Sequence, residues 1–167
     1  NRNSGEPGRA LEGAEIEAIQ QAYLDCARRL YRAGYDAVEL HAANGYLFQQ
    51  FLTPRINRRE DRYGGSVENR ARIVREIIDG VRARTRPDFQ LGLRLSPERF
   101  GLSLAEILET AQAIHTDGKI DYLDMSLWDV SKEPEEAEFK GRSLMSWFTG
   151  LDRGQVRLGV ARKVTSP

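Results

Sequence analysis

Gln90-Leu91-Gly92-Leu93-Arg94-Leu95-Ser96 carries leucine at every second position, with Gly92, Arg94 and Ser96 between and after them. Side chains alternate faces along a strand, so this run predicts a strand with one aliphatic face for helix packing and one polar face. Three further runs have strand character. Asp36 to Leu40 leads into His41, Ile120 to Leu127 is largely apolar, and Val156 to Val164 follows near the end of the chain. The polar face recurs in these neighbours as Glu39 and His41, then as Asp124 and Ser126.

Helical patterns separate the strands. From Ala14 to Ala33, Ile16, Ile19, Tyr23, Cys26 and Leu30 keep helical spacing, and Gly34 stands where a left-handed cap ends a helix. Ser66 is a good N-cap for a second helix with a stripe of Val67, Ala71, Val74, Ile78 and Val81. Ser103-Leu104-Ala105-Glu106 has the form of a capping box and opens a third, which Asp117-Gly118 ends. Residues 47 to 65 are expected to be a long loop. Residues 129 to 155 are expected to be a polar excursion with a short helix around Leu144 to Phe148.

Strand starts at 90, 121 and 156 lie 31 and 35 residues apart, a spacing that suits βα units in a parallel sheet. Polar residues gathered toward the C-terminal strand ends suit the mouth of a (β/α)8 barrel. A doubly wound open sheet would usually carry a glycine-rich first turn, which is missing. The expected fold is therefore α/β, a partial (β/α)8 TIM barrel.

Composition sets the outer limits. The 167 residues are 40% hydrophobic and 30% charged, with 25 basic and 25 acidic side chains, so neither nucleic acid nor an anionic membrane surface is an expected partner. No apolar run approaches the roughly 20 residues that a membrane-spanning helix needs. The polar start, Asn1 to Gly8, has no signal-peptide core. The single Cys26 fits a reducing, cytoplasmic setting, and one Cys with two distant His leaves no expected metal site. Lacking an initial Met and stopping at Pro167 just after a strand, residues 1–167 are expected to form one incomplete domain, cut at both ends.

The chemistry concentrates in His41-Ala42-Ala43-Asn44-Gly45-Tyr46. A His and an Asn three residues apart at a strand end can aim two hydrogen-bond donors at one oxygen, with a Tyr hydroxyl nearby to deliver a proton. The plainer alternative is a strand-to-loop turn with a satisfied His.

The order of motifs is specific. His41 to Leu47 is followed by Gln50-Phe51-Leu52-Thr53-Pro54, then Asn57 to Arg70, then Gly92-Leu93-Arg94-Leu95-Ser96-Pro97. This string resembles the Old Yellow Enzyme family of FMN-dependent ene-reductases from around Ala10 onward. The resemblance implies the central part of the barrel, about strands 4 to 7. It also implies FMN as cofactor, NAD(P)H as reductant, and an activated C=C bond in an enone-like small molecule as substrate. His41 and Asn44 then bind the substrate's carbonyl or nitro oxygen, and Tyr46 donates the proton. Arg94 lies against the pyrimidine edge of the flavin.

The turn after the last strand, Gly159-Val160-Ala161-Arg162, departs from the glycine-rich family pattern; Arg162 either supplies charge to the flavin phosphate or obstructs it. A barrel takes about 250 residues, so four strands leave two open edges, and self-association through them is expected. The alternative to an oxidoreductase is a cofactor-free half-barrel with a structural or assembly role. An aldolase-like barrel is disfavoured, since Lys163 near a strand end has no partner motif.

Other residues have plainer expectations. Arg94 has an inward carboxylate, Glu39, as a competing partner. The Arg-rich loop 55–62 is expected to fold on its own Arg–Asp pairs, with Gly64-Gly65 turning it into the helix. His115 is expected to be exposed at a helix end; Trp128 and Trp147 could shape a substrate pocket, but are expected rather to pack beneath the excursion.

Overall fold

The computed structural model describes residues 8–161. Helix α1 (Gly13–Arg32) leads into β1 (Ala37–Ala42), α2 (Leu47–Leu52), α3 (Val67–Arg82), β2 (Gln90–Leu95), α4 (Leu104–Asp117) and β3 (Tyr122–Ser126). A single 3-10 turn (Ala137–Phe139), α5 (Leu144–Thr149) and β4 (Arg157–Ala161) complete the order. The four strands form one parallel sheet in sequence order. Successive parallel neighbours joined through helices are the repeating unit of a β/α barrel.

The alternation in β2 is realised in three dimensions. Leu91, Leu93 and Leu95 are fully buried beside Ile73, Val74 and Ile77 of α3 and Leu104, Ile107 and Ala111 of α4 in one core. Across the sheet, Leu40 pairs with Leu93 and Leu93 with Leu123, so the aliphatic faces of three strands form one layer. The opposite face aligns His41 with Arg94, Arg94 with Asp124, and Asp124 with Gly159. Register thus builds a polar row across the sheet from residues far apart in sequence.

The segment 47–65 is not all loop: Leu47 to Leu52 form α2, which buries Phe48, Phe51 and Leu52. Four apolar residues in six, three of them buried, give this short helix a docking face, and Thr53-Pro54 ends it. The rest of the segment folds on its own polar groups, as its sequence suggests, and on a carboxylate of α3. Arg59 pairs with Asp61, Arg62 with Glu76, and Asn57 Nδ2 donates to the carbonyls of Phe51 (2.8 Å) and Tyr63 (2.7 Å). A Cβ at Gly64 would collide with the Arg59 carbonyl, and Gly65 has φ 77°.

The capping box at Ser103 does not form. Ser103 is the N-cap without a side-chain hydrogen bond. Its expected partner Glu106 instead ion-pairs with Arg70 at 2.7 Å. The helix-start amide of the buried Leu104 donates to Glu136 Oε1 at 2.5 Å, so the excursion supplies the cap. A second carboxylate, the buried Glu98, accepts from Lys132 Nζ (2.5 Å) and Glu135 N (2.8 Å), tying the excursion to the end of β2.

Trp147 packs within the excursion, 4.9 Å from the Phe139 ring and donating from Nε1 to the Phe139 carbonyl. Trp128 does not pack beneath it: Trp128 is 60% exposed, with the Arg99 guanidinium 5.4 Å from its ring centre. It immediately follows the last residue of the β3 apolar run and projects at the mouth of the sheet.

His115 is buried, not exposed, at 4% of its surface, and neither ring nitrogen has a hydrogen-bond partner among the described residues. Burial, seconded by Arg153 and opposed by Asp152, lowers its pKa from the ordinary 6.5. Below that value the unfolded chain takes up a proton that the folded one resists. Stability therefore stands in full above the ordinary value and declines as pH falls through it. Urea midpoints at pH 7.5 and pH 5 should show this decline, and His115→Leu should lessen it. His41, shifted in the same direction, keeps a part. An unchanged pH slope in His115→Leu would refute the assignment.

Candidate functional site

The site begins where β1 ends. Asn44 (φ 57°) and Gly45 (φ 78°) are both left-handed, and Tyr46 N–H donates back to the Ala43 carbonyl at 3.2 Å. Asn-Gly tolerates two consecutive positive φ values better than other residue pairs. The turn brings Tyr46 back over the strand it has just left, with its ring 5.3 Å from that of His41 and tilted by 51°. Tyr46 is 62% exposed, so its hydroxyl is accessible from the open side.

Two glutamines hold the turn from behind. Gly45 N–H donates to Oε1 of the buried Gln49 at 2.8 Å, and Gln50 Nε2 donates to the Gly45 carbonyl at 2.9 Å. Neither was singled out for its chemistry; their spacing of four and five residues beyond Gly45 was the available signal. Asn44 is held from the neighbouring strands. Its backbone N–H donates to Ser96 Oγ at 3.0 Å, and Ser126 Oγ donates to its Oδ1 at 3.2 Å.

His41 is partly buried, and burial first, with the nearby Arg94 charge second, lowers its pKa. Its imidazole is neutral at neutral pH, with one N–H donor and one acceptor nitrogen. Arg94 Nε lies 2.7 Å from Asp124 Oδ2 and 3.9 Å from Glu39 Oε1, so Asp124 is the nearer carboxylate. Nε is buried and makes no aligned hydrogen bond among the described residues. Burial and the Asp124 charge raise the Glu39 pKa, and Arg94 opposes them.

The structure thus brings His41, Asn44, Tyr46 and Arg94 to the polar face and its C-terminal rim, while Arg162 lies outside the described residues. The sequence reading missed a further wall. Arg99 (φ 75°) and Phe100 (φ 57°) are consecutive non-glycine residues in left-handed conformation, a costly arrangement that surrounding structure must maintain. A Cβ at Gly45 would sit 3.5 Å from the Phe100 ring, so this loop borders the Asn44–Tyr46 turn. No periodicity marks such a loop in the sequence.

A parallel β/α sheet with donors, a phenol and an inward arginine at its C-terminal rim has the arrangement in which β/α-barrel enzymes place their sites. The description NADH:flavin oxidoreductase / NADH oxidase family matches residues 1–139 as a family model. The chain belongs to this family. The NADPH dehydrogenase of Geobacillus thermodenitrificans is 40% identical over 129 residues, covering 75% of this chain and 37% of that protein. Morphinone reductase in complex with tetrahydroNAD superposes with a TM-score of 0.70 at 35% identity, over 94% of this chain and 41% of that one. The Old Yellow Enzyme homologue of Zymomonas mobilis gives 0.77 at 28% identity, over 96% and 45%. The chain therefore spans about two fifths of the length of these relatives.

FMN and NAD(P)H are the cofactors of this flavin-dependent oxidoreductase family. The residues present fit a flavin: the polar face offers a cation, Arg94, held by Asp124 at 2.7 Å with its side chain still 27% exposed. Among the described residues no helix is long and apolar enough to cross a membrane.

Proposed function

We propose that this chain carries the substrate-activating part of an FMN-dependent, NAD(P)H-driven reductase of activated C=C bonds in enones and related electron-poor molecules. The observation that carries this reading is the approach of the His41 and Tyr46 rings to 5.3 Å around a turn centred on Asn44.

His41, neutral, donates one hydrogen bond to the substrate's carbonyl or nitro oxygen, and Asn44 donates a second. Two donors on one oxygen draw electron density from the conjugated double bond and stabilise the charge that develops there. Tyr46 supplies its phenolic proton to the carbon α to that carbonyl. Arg94 holds its charge toward the pyrimidine edge of the flavin, anchored by Asp124. When bound, FMN supplies the hydride chemistry. Phe100 and Trp128 form an apolar margin for the substrate body. A cytoplasmic location belongs to the same reading, on the strength of the single, free Cys26.

Incubating the protein with FMN and recording its visible spectrum after desalting tests this. Retained, perturbed flavin absorbance and NADPH oxidation that depends on a cyclic enone are the expected results. Flavin retention without enone-dependent turnover would overturn the substrate assignment.

A second reading rests on the sheet edges. Among the described residues β1 and β4 each pair on one side only. Unpaired parallel edges seek partners, so the 167-residue chain expressed by itself should self-associate. Sedimentation as a single monomeric species would count against this. A colourless, assembled protein would favour a structural half-barrel role for this stretch alone.

A further inference from the structure

Asn44 is gripped by side chains from two other strand ends. Ser96 follows β2 and accepts from the Asn44 backbone N–H at 3.0 Å; Ser126 closes β3 and donates to Asn44 Oδ1 at 3.2 Å. Ser96 is buried. The first contact holds the left-handed backbone of the turn. The second acts on the functional amide itself, across 82 residues of sequence.

We infer that Ser126 is a positioning residue that sets the orientation of the Asn44 amide, so that Nδ2 rather than Oδ1 meets the oxygen of a carbonyl substrate; this rests on the function proposed above. A primary amide has one acceptor and one two-proton donor at nearly equivalent positions, and rotation about Cβ–Cγ exchanges them. An amide presenting Oδ1 to a carbonyl oxygen repels it. With Ser126 Oγ donating to Oδ1 at 3.2 Å, the other end of the amide, Nδ2, is left for the substrate. No other hydrogen bond of the Asn44 side chain forms among the described residues, which leaves Nδ2 available. His41 needs no such device, because a neutral imidazole with one N–H settles its donor by tautomer. The substrate class that benefits is one offering a bare oxygen acceptor, a ketone, aldehyde or nitro compound.

The test uses the FMN-loaded protein and cyclohexanone, a carbonyl ligand with no double bond to reduce. Binding is read from the flavin absorbance, and the carbonyl stretch of the bound ketone from isotope-edited infrared difference spectra. Ser126→Ala should weaken binding about tenfold and move the stretch to higher frequency, toward an unpolarised carbonyl. Ser126→Thr, which keeps the hydroxyl, should restore both. Asn44→Leu should move the stretch at least as far, leaving only the His41 hydrogen bond to polarise the carbonyl. An unshifted stretch in Ser126→Ala with a shifted one in Asn44→Leu overturns the inference and leaves the proposed site standing. An unshifted stretch in both overturns the carbonyl-binding reading and the inference with it. Equal loss of FMN and melting temperature in Ser126→Ala, with the stretch of the remaining holoprotein unchanged, marks a merely structural serine and likewise overturns it.

Discussion

Tyr46→Phe should slow enone reduction by the pre-reduced protein by about 10²–10⁴-fold, the range typical for loss of a positioned general acid, while flavin reduction by NADPH should keep its wild-type rate. Removing one hydroxyl oxygen from a 62% exposed side chain leaves the turn intact, because Gln49, Gln50 and Ser96 grip its backbone and not the phenol. The ring contact with His41 at 5.3 Å also survives. Stopped-flow measurement of the two half-reactions separates the effects. An oxidative rate equal to wild type would remove Tyr46 from the proton-donor role.

The largest structural effect is expected at Arg70. It is 5% exposed, pairs with Glu106 at 2.7 Å, and donates from Nε to the Leu52 carbonyl at 3.1 Å and from Nη1 to the Gly65 carbonyl. One guanidinium thereby joins the end of α2, the glycine turn and the start of α4. Arg70→Ala leaves a carboxylate and two carbonyls without their donor and should cost about 3 kcal/mol. The melting temperature should fall by about 10 °C. Arg70→Lys should recover only part of this, since a point charge cannot reach three acceptors in a fork. Thermal melts of the two variants check it; equal, small losses in both would show that the network contributes packing alone.

Both expectations depend on partners that differ in how far they were legible. Tyr46 and His41 are five residues apart, and the Asn44-Gly45 pair between them is itself a turn signal, so their meeting was readable from the chain. Arg70 sits in a recognisable motif, yet its partner Glu106 had every local reason to serve Ser103 as a capping box. The buried guanidinium, a full charge, is the stronger claim on a carboxylate than a neutral backbone amide, and Glu136 takes over the cap. Arg94 likewise had Glu39 as the plausible partner in sequence, and register delivered Asp124 closer.

The sequence by itself determined the parallel β/α architecture, the two sides of the sheet and the His41–Tyr46 turn, because period-two alternation, helical stripes and left-handed glycine positions are local properties of the backbone. Only the tertiary structure decided which polar groups meet: Ser126 with Asn44, Arg70 with Glu106, Asp124 with Arg94. It also decided that His115 is buried and Trp128 exposed, against the expectations for both. These depend on strand register and on what packs over a helix end, and each is settled by the competition among all charges and apolar surfaces brought to one place by folding.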